Sequence, residues 1–478
     1  MRRNERKFVK NDHEKDDHAI VKRTDTKRIR NEKLERKRGN EKFTHEVIVK
    51  TISSLNFNIE SLPILAKLLS NPNIDMYFGP SNVYPEYKGP YIFPNSKPFE
   101  WLISLMDIPA HREDVLMCFL GVSAYEASSD WIQRLIPIIP RFLNCIKTHP
   151  KQVLWILSNM CIDNINTRDL ILNQNVCDLV CSIFNMEDWH IISCSAHFLR
   201  SLFIHQENLP NTEKVSKLWN IMTNRVLIEH FPVPIMVMEP VAEDILRTID
   251  ILIKYSDPYK MLLIQNKPLF ERILKYSLES DKLVQFLSAQ ILSTITEFKN
   301  THQFMVSCIP TFVKFLNFPS ADLRKEGSSG LANLAETPEI LPVLCTDLVF
   351  NAIQMQFEYT DVSSVLREMY LLIDSIVITA YHADLGNVVF PMVMNRFMYR
   401  ICQSLFLEMQ FNLVTRSIQS LKCFAKWNLN QTRELMESYD AISRLESLTL
   451  HMNIEIQIVA EELVNILDNN VEVDEDNC

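Results

Sequence analysis

Apolar residues along most of this chain recur every three to four positions, the spacing of helices with one buried face. From Val115 onward the apolar stretches run for 10–16 residues and are broken by Asn, Asp, Pro or Ser. Those residue types cap helices or stop them, so the pattern predicts short turns between helices. The stretches also resemble one another. EDVLMCFLGVSA, KQVLWILSNMCI, SCSAHFLRSLFI, EDILRTIDILIK, FLSAQILSTITE, RKEGSSGLANLA and LREMYLLIDSIV share one register. Their equivalent positions are Met117, Trp155, His197, Arg247, Gln290, Ser329 and Leu371, at intervals of 38, 42, 50, 43, 39 and 42 residues. The segments TRSIQSLKCFAK and EIQIVAEELVNIL continue the rhythm.

Each such helix has a second apolar run beside it, among them LIPIIPRFLNCI, NVCDLVCSIF, LFERILKYS and CIPTFVKFLN. A single unit cannot bury both faces of its helices, whereas stacked units share one continuous core. The expected fold is therefore all-α: a right-handed α-solenoid of the armadillo or HEAT kind, with about nine to ten repeats over residues 45–470. An irregular all-α protein with evenly spaced helices is the alternative. Residues near 73–98 interrupt the pattern with Pro and aromatic residues and read as a long loop inserted near the first repeat.

Composition narrows the function classes. With only 7 Gly in 478 residues, glycine-cradled phosphate sites and sheet-rich folds are disfavoured. The 11 Cys form no framework; Cys177 and Cys181 are the closest pair and lack partners at zinc-finger spacing, so reduced, buried thiols are expected. No nucleotide-loop, zinc-protease or nucleophile-elbow motif occurs, and Glu461-Glu462 reads as a solvated helix face. The chain is thus expected to be no enzyme and to carry no cofactor or metal. No apolar run reaches the ~18 residues that cross a bilayer, so no membrane insertion is expected. The first ten residues, MRRNERKFVK, do not read as a secretory signal.

Charge changes the picture more. Residues 1–42 carry a net charge of +7 and the remainder -17, within a total of -10. The chain therefore divides into a flexible basic arm over 1–44, an acidic body, and an acidic tail over 471–478. Arm and body attract each other or oppositely charged partners. A solvated tail and a phosphate-binding arm are the other readings. The acids interspersed along the arm, and the lack of aromatic stacking residues beyond Phe8 and Phe43, argue against nucleic acid.

One stretch is more specific. VLWILSNMCIDNINTRDLIL resembles the third armadillo repeat of the importin-α (karyopherin-α) family, with Trp155, Asn159, Asp163, Arg168 and Asp169 in the family's order. The arm is similar to that family's importin-β-binding segment: RKFVKN matches its start and KRIRNEKLERKRGN its basic helix. The resemblance implies a nuclear import adaptor, shuttling between cytoplasm and nucleus. Cargo proteins with Lys/Arg-rich or atypical import signals would lie in a concave groove at Trp155, Asn159, Asp163 and Asn333. Importin-β would be met by Arg6, Lys10, Lys27, Arg28, Arg30, Arg36, Lys37 and Arg38. It further implies self-inhibition by Arg36-Lys37-Arg38 and recycling by an export receptor at the C-terminal repeats.

The groove chemistry can be stated from the residues. Trp155 and Asn159 lie at i and i+4 on one helix face. The indole offers a wall for a Lys or Arg stem, the amide a partner for a peptide backbone, and Asp163, expected just past the helix end, a counter-charge. The ordinary reading of a lone Trp, a core residue, stands beside this one.

The chain also departs from the family. Repeat two has Met117 and Gly121, repeat four His197 and Ser201, repeat seven Ser329 with Asn333 kept, and repeat eight Leu371 and Ser375. Each lost Trp removes about 0.5–2 kcal/mol of cation–π attraction. Each lost Asn removes about 1 kcal/mol of hydrogen bonding. Weak binding of standard basic signals follows, with an armadillo scaffold that no longer binds import signals as the alternative.

Overall fold

The structure is a computed structural model. It describes residues 58–69, 97–124, 134–184, 188–205, 209–210, 212–227, 235–360, 362–407 and 410–468. The basic arm, nearly all of the expected loop and the acidic tail lie outside the described residues, as do Arg6, Lys10, Lys27, Arg28, Arg30, Arg36, Lys37 and Arg38. Lys97 and Pro98, assigned to the loop by sequence, already belong to a helix. The chain divides into two compact units, Met1–Met222 and Thr223–Cys478.

In the first unit the helices are α1 (Leu62–Leu69), α2 (Lys97–Leu105), α3 (Arg112–Ser123), α4 (Ile139–Cys145), α5 (Pro150–Asp163), α6 (Ile165–Leu172), α7 (Val176–Phe184) and α8 (Trp189–Leu202). Then follows α9 (Thr212–Leu227), in which the division falls. Helices α1, α3, α5 and α8 pack side by side as successive rungs, with the shorter helices between them.

The second unit holds α10 (Ile235–Tyr255), α11 (Asp257–Gln265), α12 (Lys267–Glu279), α13 (Lys282–Ile295), α14 (Lys299–Met305), α15 (Ile309–Leu316) and α16 (Ala321–Leu334). It continues through α17 (Leu341–Leu344), α18 (Asp347–Tyr359), α19 (Ser363–His382), α20 (Gly386–Ser404), α21 (Phe411–Trp427), α22 (Leu429–Ser438), α23 (Ala441–Leu448) and α24 (Ile454–Asp468). Its rungs are α10, α13, α16, α19, α21 and α24, each packed on the next. In five of the repeats, those ending in α8, α13, α16, α19 and α24, two shorter helices precede one longer helix, the armadillo arrangement, and the fold is an all-α solenoid. Among the described residues there is no strand.

The breaks read from the sequence are the turns. Asn164, extended at φ -147 and ψ 120, ends α5 and caps α6 by accepting from the backbone N–H groups of Asn166 and Thr167. Asp188, Asn266, Asp281 and Asn428 do the same for α8, α12, α13 and α22. Prolines in the first turn of α5, α11, α12 and α15 need no donor there. With so few glycines, the left-handed backbone positions fall on Asn175, Asp384 and Asp440, all at φ 56. These are the side chains that tolerate that region best.

The core of each unit lies where the inner faces of the rungs meet the shorter helices. Phe119, Phe142, Phe198, Phe312, Phe350, Phe390 and Phe397 are fully buried there. Gly121 is required by a close approach: a Cβ at this position would lie 2.3 Å from the carbonyl oxygen of Leu69, the last residue of α1. The ten cysteines among the described residues are free thiols, most of them buried. Burial pushes Cys308 and Cys423 up to about 11 and Cys345 and Cys402 up to about 12, away from thiolate reactivity.

Candidate functional site

Trp155 and Asn159 sit on α5 one turn apart, as their spacing requires. Trp155 is 9 % exposed and Asn159 is fully buried. Asp163 was expected just beyond the helix. It is instead the last residue of α5, half-buried, because the chain stays helical until Asn164 turns it.

Asn159 reaches across to the previous rung. Its Nδ2 donates to the Ser123 hydroxyl at 3.0 Å. That hydroxyl in turn donates to the Leu120 carbonyl at 3.0 Å, so it can only accept from the amide, which fixes the amide's orientation. The other end of the amide, Oδ1, is buried without a hydrogen-bond partner. An orphaned buried acceptor costs about 1–3 kcal/mol.

The second unit repeats this rung. Asn333, on α16, donates from Nδ2 to the Thr296 hydroxyl at 3.0 Å, and that hydroxyl donates to the Ser293 carbonyl at 2.6 Å. Ser123 and Thr296 stand six residues beyond Met117 and Gln290, the same register in their repeats. The two asparagines thus hold one structural position. Buried His302 extends the second network: its Nε2 donates to the Thr296 carbonyl at 2.7 Å and its Nδ1 accepts from the Thr337 hydroxyl at 2.5 Å. Burial pushes the imidazole's pKa down, which keeps it neutral in those two bonds.

Two features were not visible in the residue types. The first is His197 on α8, whose ring stacks on Trp155 with centroids 4.7 Å apart and planes 18° from parallel. Trp155 and His197 hold one repeat position in the sequence, a register that does not specify contact between them. The second is a set of carboxylates on the rungs of the second unit. Glu326 on α16 is pushed up to about 7, by burial first and then by the charges of Asp250 and Glu368, with Lys325 and the Ser293 hydroxyl opposing. Asp250 and Glu368 lie on α10 and α19, so the rungs bring acids from three repeats into mutual range.

Arg168 and Asp169, the remaining residues of the resemblance, form an ion pair on α6. The guanidinium is almost fully buried and its Nε and Nη2 donate to Asp169 Oδ1 at 2.9 and 2.7 Å. Among the described residues no group of three His, Cys, Asp or Glu could hold a metal ion, and no single helix is long and apolar enough to cross a membrane.

By sequence, no protein-family model and no curated protein matches the chain. By structure, the chain is similar to the crystal structure of an engineered protein, with TM-score 0.66 and 14 % identity over 88 % of this chain and 98 % of that one. A computationally designed armadillo repeat protein for modular peptide recognition superposes with TM-score 0.42 and 12 % identity, over 50 % of this chain and 99 % of that one. The first superposition bears on the fold alone and agrees with the stacked-helix solenoid.

Proposed function

We propose that this protein is a nuclear import adaptor, present in cytoplasm and nucleus, that holds cargo on the rung face of its solenoid and docks to importin-β through its basic arm. The observation that carries the reading is the repeated rung: Asn159 and Asn333 occupy the same position in two repeats. At the first, an unsatisfied buried acceptor lies one turn from an indole. In each unit, an extended peptide lying along the rung would pass the asparagine of that unit. The carboxylates of Asp250, Glu326 and Glu368 favour Lys and Arg side chains on that peptide. The sequence resemblance of the arm supplies importin-β as the second partner, and an export receptor at the last repeats would complete the cycle.

A second reading has an observation of its own. Gly121 admits no side chain beside Leu69, and His197 lies flat on Trp155, so two of the family's pockets are closed. A scaffold that keeps the solenoid and serves another protein partner fits these two positions. The test is capture of importin-β by the full chain and by the variant Arg36→Glu, Lys37→Glu, Arg38→Glu. Strong capture lost on charge reversal is expected for the adaptor; capture by neither protein leaves the scaffold reading.

A further inference from the structure

The contact between Trp155 and His197 decides what can reach the indole. The two rings belong to successive rungs, α5 and α8, and are 9 % and 7 % exposed. A Lys or Arg stem lying between two ring faces needs van der Waals contact on both sides, which sets the faces about 7 Å apart or more. At 4.7 Å the rings touch, and no atom fits between them. On the other side, the residue in register on α3 is half-buried Met117, with Gly121 one turn further on held against the Leu69 carbonyl.

We propose that His197 is the gate of this subsite, a specificity-determining residue that covers the α8 side of Trp155 and must turn out of the stack before a cationic stem can lie on the indole. The proposal rests on the import-adaptor reading for its ligand class, an extended Lys/Arg-rich peptide. Imidazole suits the task because it is flat enough to stack yet polar enough to enter water at small cost. Ser201, one turn below, donates its hydroxyl to the His197 carbonyl at 2.8 Å, so that neighbour does not clamp the ring itself. A ligand must displace an aromatic pair, which lowers its affinity by about threefold to tenfold relative to an open slot. Peptides lacking a cationic stem at this position escape that penalty, so the gate selects for atypical signals.

The experiment measures anisotropy of a fluorescein-labelled Lys/Arg-rich peptide against the full chain, His197→Ala, His197→Gln, and His197→Ala combined with Trp155→Ala. Both single variants should bind about threefold to tenfold more tightly than the parent, and the gain should vanish in the double variant. Two variants of different polarity guard against one that misfolds, and matching thermal melts establish that each is folded. Equal or weaker binding by both single variants overturns the gate, as does a gain that survives loss of Trp155. If the parent binds no peptide but His197→Ala does, the gate stands and the adaptor reading falls for basic signals. If the parent binds through Trp155 and neither variant improves on it, the gate falls and the adaptor reading stands. If neither the parent nor the single variants bind, an opened slot makes no subsite, and both fall.

Discussion

Asp374 shows how a single residue couples the stack to solution conditions. It lies on α19, 1 % exposed, and accepts from the hydroxyls of Ser420 at 2.6 Å and Ser417 at 3.1 Å on α21. Burial pushes its carboxyl from the ordinary 3.8 up to about 6, although Ser420, the Arg416 guanidinium and Ser417 all oppose the rise. The folded state therefore holds this proton more tightly than the unfolded chain. Its contribution to stability is fully present below about pH 4, is lost as pH rises to about 6, and is flat above. The whole effect is on the order of 3 kcal/mol at most. Asp374→Asn should remove the slope and leave the second unit more stable at neutral pH. Urea unfolding at acid and neutral pH checks this, and a parent that gains stability over that window would show that Arg416 outweighs burial. Nothing in the spacing of the sequence marks this acid as buried: it sits in LREMYLLIDSIV like any polar residue of a helix. Only the packing of α19 on α21 excludes water from it.

At the scale of elements, the rungs approach closely where small residues allow it. Gly121, in the last turn of α3, is a poorer helix former than Ala. It persists because the end of α1 lies on it, with the Leu69 carbonyl where a Cβ would go. Gly121→Ala should therefore destabilise the first unit by about 2 kcal/mol despite the better helix propensity. Calorimetry of the full chain would detect this as a lowered first transition, and an unchanged or raised one would mean that α1 can move aside. Gly121→Asn, which puts a larger side chain in the same space, should be worse still. The repeat pattern was plain in the sequence, as were the turns, because Asn, Asp and Pro mark them chemically. The fusion of two short helices into α20, with Pro391 inside it, was not. Its proline would ordinarily break or kink a helix, and the packing of α20 on both α19 and α21 holds it together.

For the whole molecule the governing quantity is charge. A leader of net +7 beside a remainder of -17 makes association with basic peptides, and of the leader with acidic partners, dependent on ionic strength. On the proposed adaptor reading, importin-β capture and peptide binding should both weaken several-fold between low and physiological salt. Titrations at two ionic strengths test this. Binding that ignores salt would assign the affinity to apolar contacts instead.

The sequence by itself determined the helical class, the period near 42 residues, the positions of the turns and the placing of Trp155 and Asn159 on one face. These follow from local chemistry: hydrophobic period, cap residues and the i, i+4 geometry of one helix. Tertiary structure decided what those residues meet. Asn159 could have faced a ligand with both ends of its amide, yet one end is bonded to Ser123, 36 positions away, and Trp155 is stacked beneath His197. Contacts between successive rungs depend on how two helices are offset and turned, and no spacing within either helix encodes that. The chain wrote the repeat; the stacking of one repeat on the next set which of its polar groups remain to meet a partner.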